Sequence, residues 1–76
     1  MIPENLQTDF YSGKTNELIK FCINDPVEVI SGDYKGYGCA VISIHRIEPE
    51  VKLLLEPGDG SFIIIDQKNI RLIEEN

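Results

Sequence analysis

Between Val27 and Ile44 the chain sets two β-branched runs on either side of a seven-residue loop, Gly32 to Gly38, with three glycines and two tyrosines. Val27 and Val29 alternate with Glu28, and Ser31 flanks the loop, the pattern of a strand with one buried face. Gly32, Gly36 and Gly38 offer the positive φ that a tight, bulged connection requires. The second run opens at about Cys39 and reaches Ile47, with Ala40, Ile42 and Ile44 alternating against Val41, Ser43 and His45. Val27, Val29, Ile42 and Ile44 are therefore expected in a β core. Such a centre commits the chain to β-structure.

The flanks follow suit. Asn24-Asp25-Pro26 breaks the chain, and Pro26 fixes the start of the first strand. Glu48-Pro49-Glu50 turns it again. Val51–Glu56 and Ser61–Asp66 form the clearest hairpin, joined by Pro57-Gly58-Asp59-Gly60. Gln67-Lys68-Asn69 is a short turn before a last strand, Ile70 to Glu74. Five short strands separated by polar turns indicate a small barrel. Met1 to Lys14 has no clean period and reads as an irregular arm anchored by Leu6, Phe10 and Tyr11. Thr15 could cap a helical turn running to Lys20, with Glu17 well placed in its first turn. The competing pattern is extended chain, because Ile19, Phe21 and Ile23 also alternate. The division is an arm over residues 1–20 and a barrel over residues 21–76.

The central stretch resembles the KOW motif, the hairpin-like core of small SH3-like barrels in NusG-type transcription factors and several ribosomal proteins. Val27, Val29, Ile30, Gly32, Lys35, Gly36 and Val41 fall on that pattern without a gap. Cys39 stands where the pattern has its last glycine, and Gly38 comes one position early. Asn69 to Ile73 resembles the final strand of such barrels, so the likeness covers about Phe21 to Glu75. The fold expected is mainly β: a small SH3-like barrel of about five strands with a short N-terminal arm or helical turn. The resemblance also implies contact with RNA or ribosomal protein, as KOW domains often make.

Seventy-six residues make one domain. A chain of this size buries only about 60% of its unfolded surface, so its stability leans on a partner or on self-association. Thirteen acidic residues against seven basic ones give a net charge of −6. That balance opposes generic binding to phosphate backbones, where affinity comes from Lys and Arg. It suits a basic protein partner, or simply solubility. Met1 to Glu4 has neither a basic start nor an apolar run, and no segment has the length of a membrane span. With two cysteines, Cys22 and Cys39, the expectation is a cytoplasmic chain with free thiols and no membrane contact.

Few residues suggest chemistry. Ser12-Gly13-Lys14-Thr15 looks like the end of a phosphate-binding loop, but Thr8 occupies the position of its first glycine and no strand leads into it. Cys22, Cys39 and His45 are the only soft metal ligands and include no Cys-x-x-Cys, so two core thiols and a surface histidine are the ordinary reading. Ser43 and His45 share a strand face through simple alternation, with no third group to orient them. The expectation is no enzyme and no cofactor.

Two features point to binding. From Tyr34 to Ile47 there is no acidic residue, while Lys35 and Arg46 are basic and Tyr34 and Tyr37 aromatic. Rings beside cations are what stacking on exposed nucleotides uses, although a solvated loop is the plainer account. Leu53-Leu54-Leu55 and Ile63-Ile64-Ile65 are apolar on both faces, whereas a barrel strand has one face inward. At least one residue of each run, with Leu54 and Ile64 as candidates, must point outward. The arm, a second copy in a homodimer or a foreign partner has to cover it. The absence of Trp argues against proline-rich peptide recognition. A non-catalytic module for a protein partner is the first reading, with a basic surface preferred. An RNA-contacting KOW-type protein of transcription or translation is the alternative.

Overall fold

The computed structural model describes residues 2–74. Met1, Glu75 and Asn76, included above in the arm, the barrel span and the resemblance, lie outside the described residues. A helix, α1 (Glu4–Tyr11), precedes strands β1 (Pro26–Val29), β2 (Gly38–Arg46), β3 (Lys52–Glu56) and β4 (Ile63–Asp66). A 3-10 turn over Gln67–Asn69 then leads into β5 (Ile70–Leu72). The strands form one antiparallel sheet in the order β4-β3-β2-β1-β5. The mainly-β expectation holds, with five strands and a short N-terminal helix.

The sheet is not closed by hydrogen bonds, since β4 and β5 occupy its two ends without pairing. It is nevertheless strongly curled. Laid flat, five strands would hold their outer members roughly 19 Å apart at about 4.8 Å per strand. The three residues of the 3-10 turn advance only about 6 Å. The two edges must therefore swing toward each other. Gln67 fills the junction: its Nε2 donates to Leu18 O at 2.7 Å, and its Oε1 accepts the Lys20 N–H at 3.0 Å.

Local chemistry explains the elements. Pro26 heads β1 and lies opposite Ala40, leaving its missing N–H on the side away from β2. On that far side its carbonyl accepts the Ile73 N–H at 2.9 Å. The β1–β2 connection is closed by Gly36 N–H to Val29 O and Val29 N–H to Tyr37 O, and Gly36 sits at φ 94°. Gly38 departs from the expectation of a positive φ: it is already strand.

The register of β2 departs from simple alternation. Val41 faces Leu55 but Ser43 faces Leu54, so Ile42 is an extra residue, a β-bulge. The bulge switches the inward parity. Cys39 and Val41 are buried before it and Ile44 after it, while Ala40 and Ile42 are only half-buried. Val27, Val29 and Ile44 take the expected core places, and Ile42 does not.

The arm departs further. Residues 4–11 are helical, with the Pro3 carbonyl accepting the Leu6 and Gln7 N–H groups and Glu4 in the first turn. Thr15–Lys20 is not helical, because Asn16 Oδ1 takes the N–H groups of Leu18 and Ile19, both at 2.8 Å. Such a short polar side chain offers the backbone an alternative to helix. Phe10 and Ile19 are enclosed in the core with Val27, Val29, Val41, Leu53 and Leu55. Residues 2–20 thus complete the core rather than drape over it.

Candidate interaction surface

The register of the β3–β4 hairpin decides which side chains face water. Leu53 pairs with Ile65, Leu54 with Ile64 and Leu55 with Ile63. Leu53, Leu55 and Ile63 are buried and Ile65 packs against the core, so Leu54 and Ile64 form the outward row. Leu54 is half-buried and Ile64 is 46% exposed. Ser43 on β2 continues the row beyond Leu54. Phe62, the residue before β4, is 58% exposed. The sequence pattern signals Leu54 and Ile64 through their tri-aliphatic runs. No local sequence motif marks Phe62, which stands alone between the turn and β4.

The electrostatic setting is one-sided. From Leu53 to Gln67 there are three carboxylates, Glu56, Asp59 and Asp66, and no lysine or arginine. The hydroxyl and N–H of Ser61 both donate to Asp59 Oδ1 and hold that carboxyl below its ordinary range. Asp66 is buried at the other end. The neighbouring Glu50 carboxyl and the Lys68 N–H, which donates to Asp66 Oδ1 at 3.0 Å, lower its pKa against the opposing effect of burial, while Asp66 Oδ2 has no hydrogen-bond partner among the described residues. Lys68 Nζ lies 3.6 Å from Glu50 and 3.9 Å from Asp66. Asp66 therefore shares one cation with Glu50, while Glu56 and Asp59 have no cation within 4 Å among the described residues.

The tyrosine loop is a separate feature. Tyr34 and Tyr37 meet edge to face with ring centroids 5.4 Å apart, and both are partly exposed. Lys35 lies beside them in the same loop and lines a shallow groove with Glu28, Ile30 and Arg71. Arg71 is already engaged, its Nε and Nη2 donating to Glu28 Oε1 at 3.1 and 2.8 Å. Arg46 ends β2, eight residues from Gly38, a contour of at most roughly 26 Å at about 3.3 Å per residue. The longest extent of the molecule is 31 Å. The structure thus unites Tyr34, Lys35 and Tyr37, unites Leu54 and Ile64, and leaves Arg46 at the far end beside His45 and Pro3.

Both cysteines are buried thiols. Burial raises the pKa of each, reinforced at Cys22 by Asp25 and Asp9 and at Cys39 by Asp59, so neither forms a ready thiolate. Among the described residues no group of three His, Cys, Asp or Glu could hold a metal ion, and no helix is long and apolar enough to cross a membrane. No family model, curated protein or solved structure matches the chain.

Proposed function

We propose that this chain is a small non-catalytic interaction module whose outer β3–β4 face binds a protein partner with a basic surface. The observation that carries this reading is the exposure of Phe62 and Ile64 beside Leu54, on a hairpin whose one cation, Lys52, lies opposite Asp66 at the end away from the tip. A large apolar side chain left in water forgoes about 1.5–3 kcal/mol relative to full burial, so this cluster favours being covered. The arm does not cover it, since the arm's anchors Phe10 and Ile19 are in the core.

We also read β1, the glycine loop and β2 as a KOW-type hairpin within an SH3-like domain. The motif match from Val27 to Val41 supports this, together with the positive φ of Gly32 and Gly36. The protonated, buried thiols suit a reducing, cytoplasmic setting. The protein-binding reading stands ahead of the RNA-contacting alternative because Arg46 lies far from Tyr34 and Tyr37, leaving Lys35 as the cation beside the rings. A comparative pulldown separates the two. Intact chain and its Phe62→Ser/Ile64→Ser variant serve as baits in soluble extract, with and without ribonuclease. The reading expects a protein retained by the intact chain, lost by the variant and indifferent to ribonuclease. Identical retention by both baits, or retention abolished by ribonuclease, refutes it.

A further inference from the structure

We propose that the free edge of β4 accepts an extended segment of the partner as a sixth strand. That segment carries apolar side chains at alternate positions and lysine or arginine beside them. The inference rests on the protein-binding reading and adds its mode and its chemistry. It begins with one hydrogen bond: Gln67 N–H donates to Val51 O at 3.0 Å. In the register that pairs Lys52 with Asp66, this bond makes residues 51 and 67 a hydrogen-bonded pair. Antiparallel ladders alternate, so 53/65 and 55/63 are also hydrogen-bonded pairs and 54/64 is not. The other face of the ladder agrees. Val41, opposite Leu55, exchanges its bonds with Asp25 O and Asn24 N–H on the β1 side, which leaves Leu55 directed toward β4.

The N–H and C=O of Ile64 therefore point away from β3, out of the free edge. No described residue bonds to either group. Protected edges usually carry a lysine, a proline or a bulge. Strand β4 reads Ile-Ile-Ile-Asp and its register with β3 is unbroken, so its four-residue length and the carboxylate of Asp66 at its end are what limit pairing. The opposite edge differs, since β5 carries Arg71. A strand laid on β4 would satisfy both Ile64 groups and extend the Leu54–Ile64 row by one apolar side chain.

Charge selects the occupant. The hairpin's one cation, Lys52, lies opposite Asp66, and the tip beyond it presents Glu56 and an Asp59 that Ser61 keeps ionised, with no lysine or arginine from Leu53 to Gln67. Basic residues flanking the incoming strand answer both. A second copy answers neither, because it would bring two such hairpins together on chains of net charge −6.

The test uses the intact chain and fluorescent ten-residue peptides of alternating valine and threonine, with paired lysines or paired glutamates at the ends. Two further lysine-flanked peptides carry N-methyl groups on alternate amides, one set in each phase. In low salt the lysine peptide is expected to bind at least roughly tenfold tighter than the glutamate peptide. Methylation in one phase should abolish binding and in the other leave it, because only alternate amides face β4. Ile64→Pro should abolish binding while keeping the ladder to β3, since it removes only an outward N–H. Equal effects of the two methylation phases, or binding that survives Ile64→Pro, would refute strand addition and leave the protein-binding reading standing. Failure of every peptide overturns the inference alone if the pulldown partner is still lost from the Phe62→Ser/Ile64→Ser bait. A concentration-dependent dimer of the free chain, dispersed by Ile64→Pro in sedimentation, gives the edge to a second copy and overturns the choice of occupant. Direct binding of fluorescent oligouridine to the intact chain, lost in Ile64→Pro, overturns both readings.

Discussion

Replacing Phe10 by alanine tests whether the N-terminal segment is part of the fold. Phe10 is fully enclosed among Ile19, Val27, Val29, Val41, Leu53 and Leu55, so its ring cannot be removed without a cavity. Truncations of this kind cost about 3–5 kcal/mol, the sum of lost transfer free energy and cavity. A chain of 76 residues has a total stability on the order of 4–11 kcal/mol at ordinary values per residue. The substitution thus removes roughly a quarter or more of the stability and can leave the chain largely unfolded. Its neighbour Tyr11 supplies the control, being 52% exposed and meeting the Phe10 ring edge-on at 4.9 Å. Tyr11→Ala should cost about 0.5–1.5 kcal/mol, the value of the ring pair. Urea unfolding followed by far-ultraviolet circular dichroism measures both. Equal midpoints for the two variants would refute the placement of the arm in the core.

Three more outcomes follow from the geometry. Gly36→Ala should destabilise by about 1 kcal/mol: a Cβ there meets no atom within 4 Å, so the cost is that of holding alanine at φ 94°. A neutral or stabilising result in the same urea assay would contradict it. Gln67→Ala severs both side-chain bonds to residues 18–20 and should cost about 1–2 kcal/mol, with faster exchange of the Lys20 N–H. Asp66 has a folded pKa below its unfolded value, so its contribution is present above about pH 4 and is lost as pH falls through the folded value. Acid unfolding of Asp66→Asn should then show a shallower pH dependence in that range, and an unchanged slope would count against the Glu50–Asp66–Lys68 cluster.

The strands were legible because their signals are local. Pro26, the glycine loop, the Pro57–Gly60 turn and the alternation around Val27 and Val29 mark both boundaries and faces. The bulge at Ile42 was not legible, since an extra residue leaves the composition of β2 intact and shows only in its pairing with β3. Helix α1 was hidden by its length: eight residues offer two apolar anchors, Leu6 and Phe10, and burial of Phe10 rather than periodicity holds it in place. Asn16 diverted the helical turn expected after Thr15 by capturing two backbone amides. Of the candidate site, Leu54 and Ile64 could be read from runs apolar on both faces. Phe62 needed the start of β4, which falls at Ile63 and leaves the ring outside the strand, and the separation of Arg46 from the tyrosine loop needed the length of β2.

Amide hydrogen exchange along β4, resolved by NMR in the free protein, tests the central claim most directly. Ile63 and Ile65 donate to β3, whereas the Ile64 N–H points out of the sheet. Slow exchange is expected at 63 and 65, and exchange near the unprotected rate at 64. Protection of Ile64 equal to that of its neighbours would show that the β4 edge is already satisfied within the chain, and the outward binding edge would not exist.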